Sequence, residues 1–291
     1  MAYFARGKYR DEERIIGPSL DAIENACDVL YALQEHHSAT FFRLEDHQKA
    51  ADANDLQKGF SYLFLDGFNW LKFFWYTTAY KTRQLATSLI SAYNTDNFLA
   101  WMILGRSTLE YAAVSYYFVK KIKQLQLDGP HFAASQIKSL EDSMLQYAHG
   151  TRYDWQALLS GDRERLKQKF SSSASLQAVN VLTAISHLAR RDARYKDVEV
   201  AYNMLSDFVH PNMASHATVL EMPTIPHDMH CAEMAAQPGA LRGEFLMVLS
   251  LPWVSVGVGT TVELLTDVAP LVHRWLDYVD KGTPISIDFT K

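Results

Sequence analysis

Cysteine is almost absent from this chain: Cys27 and Cys231 are the only two among 291 residues. Two thiols cannot build the bridge framework of a small secreted domain, so the expected setting is the reducing cytoplasm, with no disulfide-linked partner. Met1 to Arg14 is charged and lacks the apolar stretch of a secretory signal. No Asn-x-Ser/Thr acceptor occurs. Several catalytic fingerprints are missing as well. There is no Gly-x-Ser-x-Gly elbow, which argues against a serine hydrolase of the strained-turn type. No P-loop or dinucleotide glycine fingerprint is present, and neither is a His-Glu-x-x-His or Cys-x-x-Cys ligand pair. No cofactor is therefore expected.

A basic excess is lacking too. The chain has 28 Lys and Arg against 33 Asp and Glu, a formal charge of -5. That balance excludes a strong non-specific grip on nucleic acid by the whole surface. The charge is uneven, however. From Arg152 to Lys196 there are nine basic residues against four acidic ones. The Lys120–Lys123, Arg163–Lys169 and Arg190–Lys196 clusters read as solvated helix faces, or together as a track for phosphates.

What the chain does have is apolar mass: 48% hydrophobic, 12% aromatic and only 21% charged residues, enough for a large core. Helical periodicity dominates. Gly17-Pro18-Ser19 reads as a helix start, followed by a stripe of Leu20, Ile23, Cys27, Leu30 and Tyr31. A more polar outer helix is expected over about Phe41–Gln57, carrying His47, which reads as solvated like His36 and His37. A long aromatic core helix is expected over Phe60–Ala92. Asn94-Thr95-Asp96 offers cap chemistry for a helix from about Asn97 to Gln126, ended by Asp128-Gly129-Pro130. Further helices are expected near Ala134–His149, Asp162–Phe170, Ser175–Arg190 and Asp197–His210. The segment 211–241 is proline-rich and irregular, with a short strand at His216–Glu221 that could pair with Ile285–Phe289. Helix returns at Arg242–Asp267 and again at Pro270–Asp280. The fold class is thus all-α: a single multi-helix domain, 1–291, with core motifs at 60–212, C-terminal helices at 242–280 and a small two-stranded ribbon near the C-terminus.

Phe245–Val262 carries no charge. It sits at the lower length limit for a membrane helix, and Pro252, Gly257 and Gly259 favour a buried core helix. Anchoring through 245–262 remains a competing reading.

Two polar pairs interrupt apolar helices. Arg106 and Glu110 are one turn apart beside Phe98, Met102, Leu109 and Ala113, which suggests a buried ion pair: structural, or a site where Arg106 binds an anion. Tyr202, Ser206 and His210 share a face of the later helix, and Pro211 should stop that helix at His210. His210 suits general acid–base work or simple capping. His227, His230 and Cys231 are metal-ligand types without a second half, so no metal is expected.

Gly105-Arg106-Ser107-Thr108-Leu109-Glu110 and Tyr202-x-x-Leu205-Ser206-x-x-Val209-His210-Pro211 together resemble an Arg-Ser-x-x-Glu plus Tyr-x-x-Leu-Ser-x-x-x-His pairing. It is similar to that of a family of bacterial all-helical proteins of unknown function, itself distantly like the HEPN superfamily. Many HEPN bundles are RNases of toxin and defence systems. The resemblance covers Phe60–Asn212. It implies His210, Arg106 and Glu110 as catalytic residues, with Tyr202, Ser206 and Asn212 binding RNA. In that scheme Arg106 holds the scissile phosphate and His210 takes the 2′-hydroxyl proton. HEPN nucleases usually carry an Arg four to six residues before the motif His. Here Met204, Leu205 and Ser206 stand there, so Arg106 can replace it only if its helix packs beside that of His210. The rival readings are a non-enzymatic ligand-binding or interaction protein, in which these groups are structural, and the membrane-anchored protein. A homo-oligomer is compatible with each.

Overall fold

The computed structural model describes residues 3–8, 12–33, 43–127, 129, 131–149, 178–210, 220–221, 233–234, 240–279 and 286–290. The chain is all-α, as its periodicity implies. In chain order the helices are α1 (Glu12–Ile15), α2 (Gly17–Ala32), α3 (Leu44–Asp52), α4 (Leu56–Asn94), α5 (Phe98–Gln124), α6 (Ala134–His149), α7 (Val181–Ala189), α8 (Val198–Val209) and α9 (Ala240–Val279). Among the described residues, four short strands accompany them: β1 (His131–Ala133), β2 (Leu220–Glu221), β3 (Glu233–Met234) and β4 (Ser286–Asp288). The expected helix at Asp162–Phe170 lies outside the described residues.

The strand pairing differs from expectation. β4 runs parallel to β1, with Phe132 opposite Ile287, and β2 pairs antiparallel with β3. Leu220–Glu221 therefore does not pair with the C-terminal strand. The physical reason is apolar burial: Phe132 and Ile287 are both buried, and Phe132 packs against Phe64 at a ring separation of 4.6 Å.

Helix ends also shift. The polar stretch 41–57 is not one helix. It breaks after Asp52, where Asn54 takes a left-handed φ of 50°, and Gln57 already belongs to α4. The cap of α5 is Asn97, whose Oδ1 accepts from Ala100 N–H at 3.0 Å. Asn94 instead uses its side chain on Tyr3 and Ala5. α9 is continuous through Pro270, with Val268 and Val272 buried on either side. A proline removes one ladder bond but need not end a helix held by its apolar face.

The described residues group into two compact units. The first comprises 1–34, 79–113 and 184–263. Its core includes Leu20, Leu30, Tyr93, Trp101, Leu109, Leu205 and Val254, all buried. Phe4 is pinned edge-on to Tyr93 at 4.9 Å, while Lys8 donates to the carbonyls of Tyr93 and Asn94 at the C-terminus of α4. The second unit comprises 35–78, 114–183 and 264–291. Phe64 is its aromatic centre, against Phe68, Phe132 and Tyr278. His47, read from sequence as solvated, faces Asp66 across the α3–α4 turn, Nε2 to Oδ2 at 2.9 Å.

Among the described residues, one helix, over Glu244–Arg274, is long and apolar enough to cross a membrane by length and composition. In unit one its polar groups make interior contacts: Ser250 accepts from Trp101 Nε1 at 2.8 Å.

Candidate functional site

The site is built where three helices of the first unit meet. Small residues make the approach possible. A Cβ added to Gly105 on α5 would lie 2.8 Å from Val254 of α9 and 3.7 Å from Leu205 of α8. One added to Gly257 on α9 would lie 3.0 Å from Thr108 Oγ1. With no side chain at 105, α5 presses closely on α9, while Leu205 of α8 lies at ordinary contact distance from the same point, and the residue after Gly105 is Arg106.

Arg106 Nε donates to Glu110 Oε1 at 3.0 Å. Its Nη2 donates to Tyr202 Oη at 3.2 Å, and Tyr202 Oη donates to Glu110 Oε1 at 2.9 Å. The guanidinium also lies 5.3 Å from the Tyr202 ring centroid. Three groups thus close a ring of hydrogen bonds across two helices. Tyr202 is buried, but Arg106 and Glu110 are 25% and 28% exposed, at the rim of the apolar stripe rather than inside it. Burial opposes the charge on Arg106; the Tyr202 hydrogen bond and the Glu110 carboxylate outweigh it and leave the guanidinium pKa raised. Burial, then the bond to Glu110, raises the Tyr202 phenol, so it stays protonated and able to donate.

The remaining sequence candidates fall elsewhere. Ser206 Oγ donates back to Tyr202 O at 2.8 Å, which satisfies its hydroxyl within α8. His210 caps the C-terminus of α8 with an extended ψ of 146°, as the following proline demands. It is exposed, and no side-chain hydrogen bond joins it to a described residue. It lies eight positions beyond Tyr202, roughly 12 Å along the helix axis. The expectation of one buried Arg106–Glu110–His210 cluster is therefore corrected. The ring takes in Tyr202, its carboxylate and guanidinium are partly exposed, and His210 stands apart from it. Asn212, His227, His230 and Cys231 lie outside the described residues. Among those described, no group of three or more His, Cys, Asp or Glu is placed to hold a metal. Cys27 is buried, which pushes its thiol up to about 11.

A second ring of the same chemistry was not foreseen. Arg191 pairs with Glu263 of α9 and donates to Tyr195 Oη at 3.3 Å. Thr260 donates to the same phenol at 3.1 Å. Tyr195 is buried, with Arg191 and Arg194 each 5.3 Å from its ring. Within the Arg190–Lys196 cluster, Arg191 and Arg194 are thus already paired with carboxylates, Arg191 with Glu263 and Arg194 with Asp192. Glu263 was the available signal: it is the first charge after an uncharged run of eighteen residues. Lys123 is likewise engaged, by Asp267 at 2.6 Å.

No protein-family model, curated protein or solved structure matches this chain.

Proposed function

We propose that this chain is a HEPN-like helical protein that binds RNA at the Arg106–Glu110–Tyr202 group, with His210 as general base of a metal-independent cleavage in the cytoplasm. The observation that carries the reading is the contact of α5 with α8. It brings together two polar motifs that stand about a hundred residues apart, and leaves Arg106 and Glu110 partly open to solvent. His210, on the same helix as Tyr202, is exposed and available to substrate. In the cleavage step its neutral imidazole takes the proton of a ribose 2′-hydroxyl. The 2′-oxygen then bonds to the adjacent phosphorus, the bond from phosphorus to the 5′-oxygen breaks, and the leaving oxygen is protonated from solvent or by the imidazolium.

Purified protein should cleave single-stranded RNA in the presence of a chelator. His210→Ala should abolish cleavage while retaining binding, whereas Arg106→Ala should weaken both. Full cleavage by His210→Ala removes that residue from the chemistry.

A second reading, a clamp without catalysis, is favoured by the closed hydrogen bonding of Tyr202. On that reading Arg106→Ala lowers the melting temperature, and wild-type protein neither binds nor cuts RNA.

A further inference from the structure

Tyr3-Phe4-Ala5-Arg6-Gly7-Lys8 forms neither helix nor strand. Side chains of two helices read its backbone instead. Asn94, the last residue of α4, uses its carboxamide twice: Oδ1 accepts from Ala5 N–H at 2.7 Å, and Nδ2 donates to Tyr3 O at 2.9 Å. Glu24 of α2 accepts from Phe4 N–H through Oε1 at 2.7 Å and from Arg6 Nη2 through Oε2 at 2.6 Å. Bonds of this kind fix the register of an extended segment whatever its side chains. Selectivity enters at alternate positions. Phe4 is buried edge-on to Tyr93, Arg6 pairs with Asp21 and Glu24, and Lys8 pairs with Asp96 at 2.7 Å. Between the two cations Gly7 takes a φ of 73°, which glycine adopts without strain. The strap is held as a peptide is held by a receptor: one apolar anchor, a backbone clamp, and cations set against carboxylates.

Little besides Phe4 commits the strap to this place. Arg6 and Asp21 are 35% and 64% exposed, so their ion pair is screened by water. Lifting the strap breaks no helix or ladder hydrogen bond, which makes it a candidate for local opening while the helices stay folded. We infer that the cradle formed by α2 and the C-terminal end of α4 is a peptide-binding site, occupied in cis by Tyr3–Lys8. Its partner is an extended basic segment of another protein with the pattern aromatic-x-Arg-Gly-Lys. Charge complementarity selects that class, because Asp21, Glu24 and Asp96 meet the two cations. A tethered strap faces its cradle at a roughly millimolar effective concentration. It therefore acts as a resident competitor, and an incoming segment takes the cradle only by displacing it.

The probe is the hexapeptide Tyr-Phe-Ala-Arg-Gly-Lys, labelled at its C-terminus and followed by fluorescence anisotropy against the full chain. The double variant Phe4→Ala/Arg6→Ala loosens the resident strap and leaves the cradle intact. It should bind the probe at least about tenfold more tightly than wild-type protein does. Replacing the probe's Phe or its Arg with Ala should each weaken binding about tenfold. A folded variant that ignores the probe, or that binds the alanine probes equally well, overturns the site. A wild-type dimer that falls apart in the double variant overturns the partner assignment and gives the cradle to the strap of a second copy. Hydrogen exchange tests the same inference without a variant. In wild-type protein the amides of Phe4 and Ala5 should exchange through local opening, faster than those of Leu89 and Ile90 in the buried part of α4. A common rate for all four means that the strap leaves only when the unit unfolds, and overturns the inference.

Discussion

Tyr202 shows what one hydroxyl can organise. It accepts from Arg106 and donates to Glu110, and so joins α5 to α8. Tyr202→Phe keeps the buried ring and removes only the oxygen. It should cost about 1–2 kcal/mol in urea unfolding, read as a lower midpoint at unchanged slope. No shift in midpoint would mean the ring of hydrogen bonds does not couple the helices. Glu141 gives a pH prediction. Gly67 and Glu141 are neighbours across α4 and α6, a Cβ at 67 falling 3.8 Å from Glu141 N. Burial, then Asp142, raises the Glu141 carboxyl, with Asp66 adding and His47 and Lys138 opposing. A carboxyl raised on folding adds stability in acid, and that contribution is lost as the pH climbs through its folded pKa. Glu141→Gln should therefore flatten the decline of melting temperature as the pH rises above the ordinary glutamate range, about 4; an unaltered decline refutes this. At this scale Arg106 and Glu110 were legible, because four-residue spacing is local. The Tyr202 bond and the His47–Asp66 pair were not, because each depends on which helix lies alongside.

Helices of this chain carry their packing instructions in glycine. Gly105→Ala forces a methyl to within 2.8 Å of Val254, and Gly257→Ala meets Thr108 and Leu109 at 3.0 and 3.2 Å. Each should destabilise by about 1–3 kcal/mol through overpacking. Gly259, on the same α9, has nothing within 4 Å of an added Cβ. Gly259→Ala should instead stabilise by roughly 0.5–1 kcal/mol through helix propensity. Thermal melts of the three variants check the contrast, and a uniform effect would sink it. Helix existence was readable from apolar spacing, as with Leu20, Ile23 and Leu30 of α2. Helix limits were less so. Three polar residues, Asn94, Thr95 and Asp96, precede α5, yet a fourth, Asn97, caps it. Spacing alone does not tell which side chain a neighbouring strap, here Tyr3 and Ala5, will occupy.

For the molecule as a whole, sequence pattern conveyed an all-α chain but not its grouping into two compact units. α4, α5 and α9 each contribute residues to both, so no linker of unusual composition marks a border. The second polar ring was hidden for a related reason. Arg191 and Glu263 lie 72 residues apart and join only once α9 is in place. The long helices also distribute two fully enclosed indoles. Trp101 belongs to the first unit and donates to Ser250; Trp75 belongs to the second and donates to the Leu265 carbonyl at 2.9 Å. Each fluorophore is shielded from water and donates a hydrogen bond within its own unit. Variants retaining one or the other as the sole tryptophan would emit at short wavelength when folded and shift to the red as that unit opens. The native sequence thus supplies an internal optical reporter for each half, by which the order of their melting can be timed.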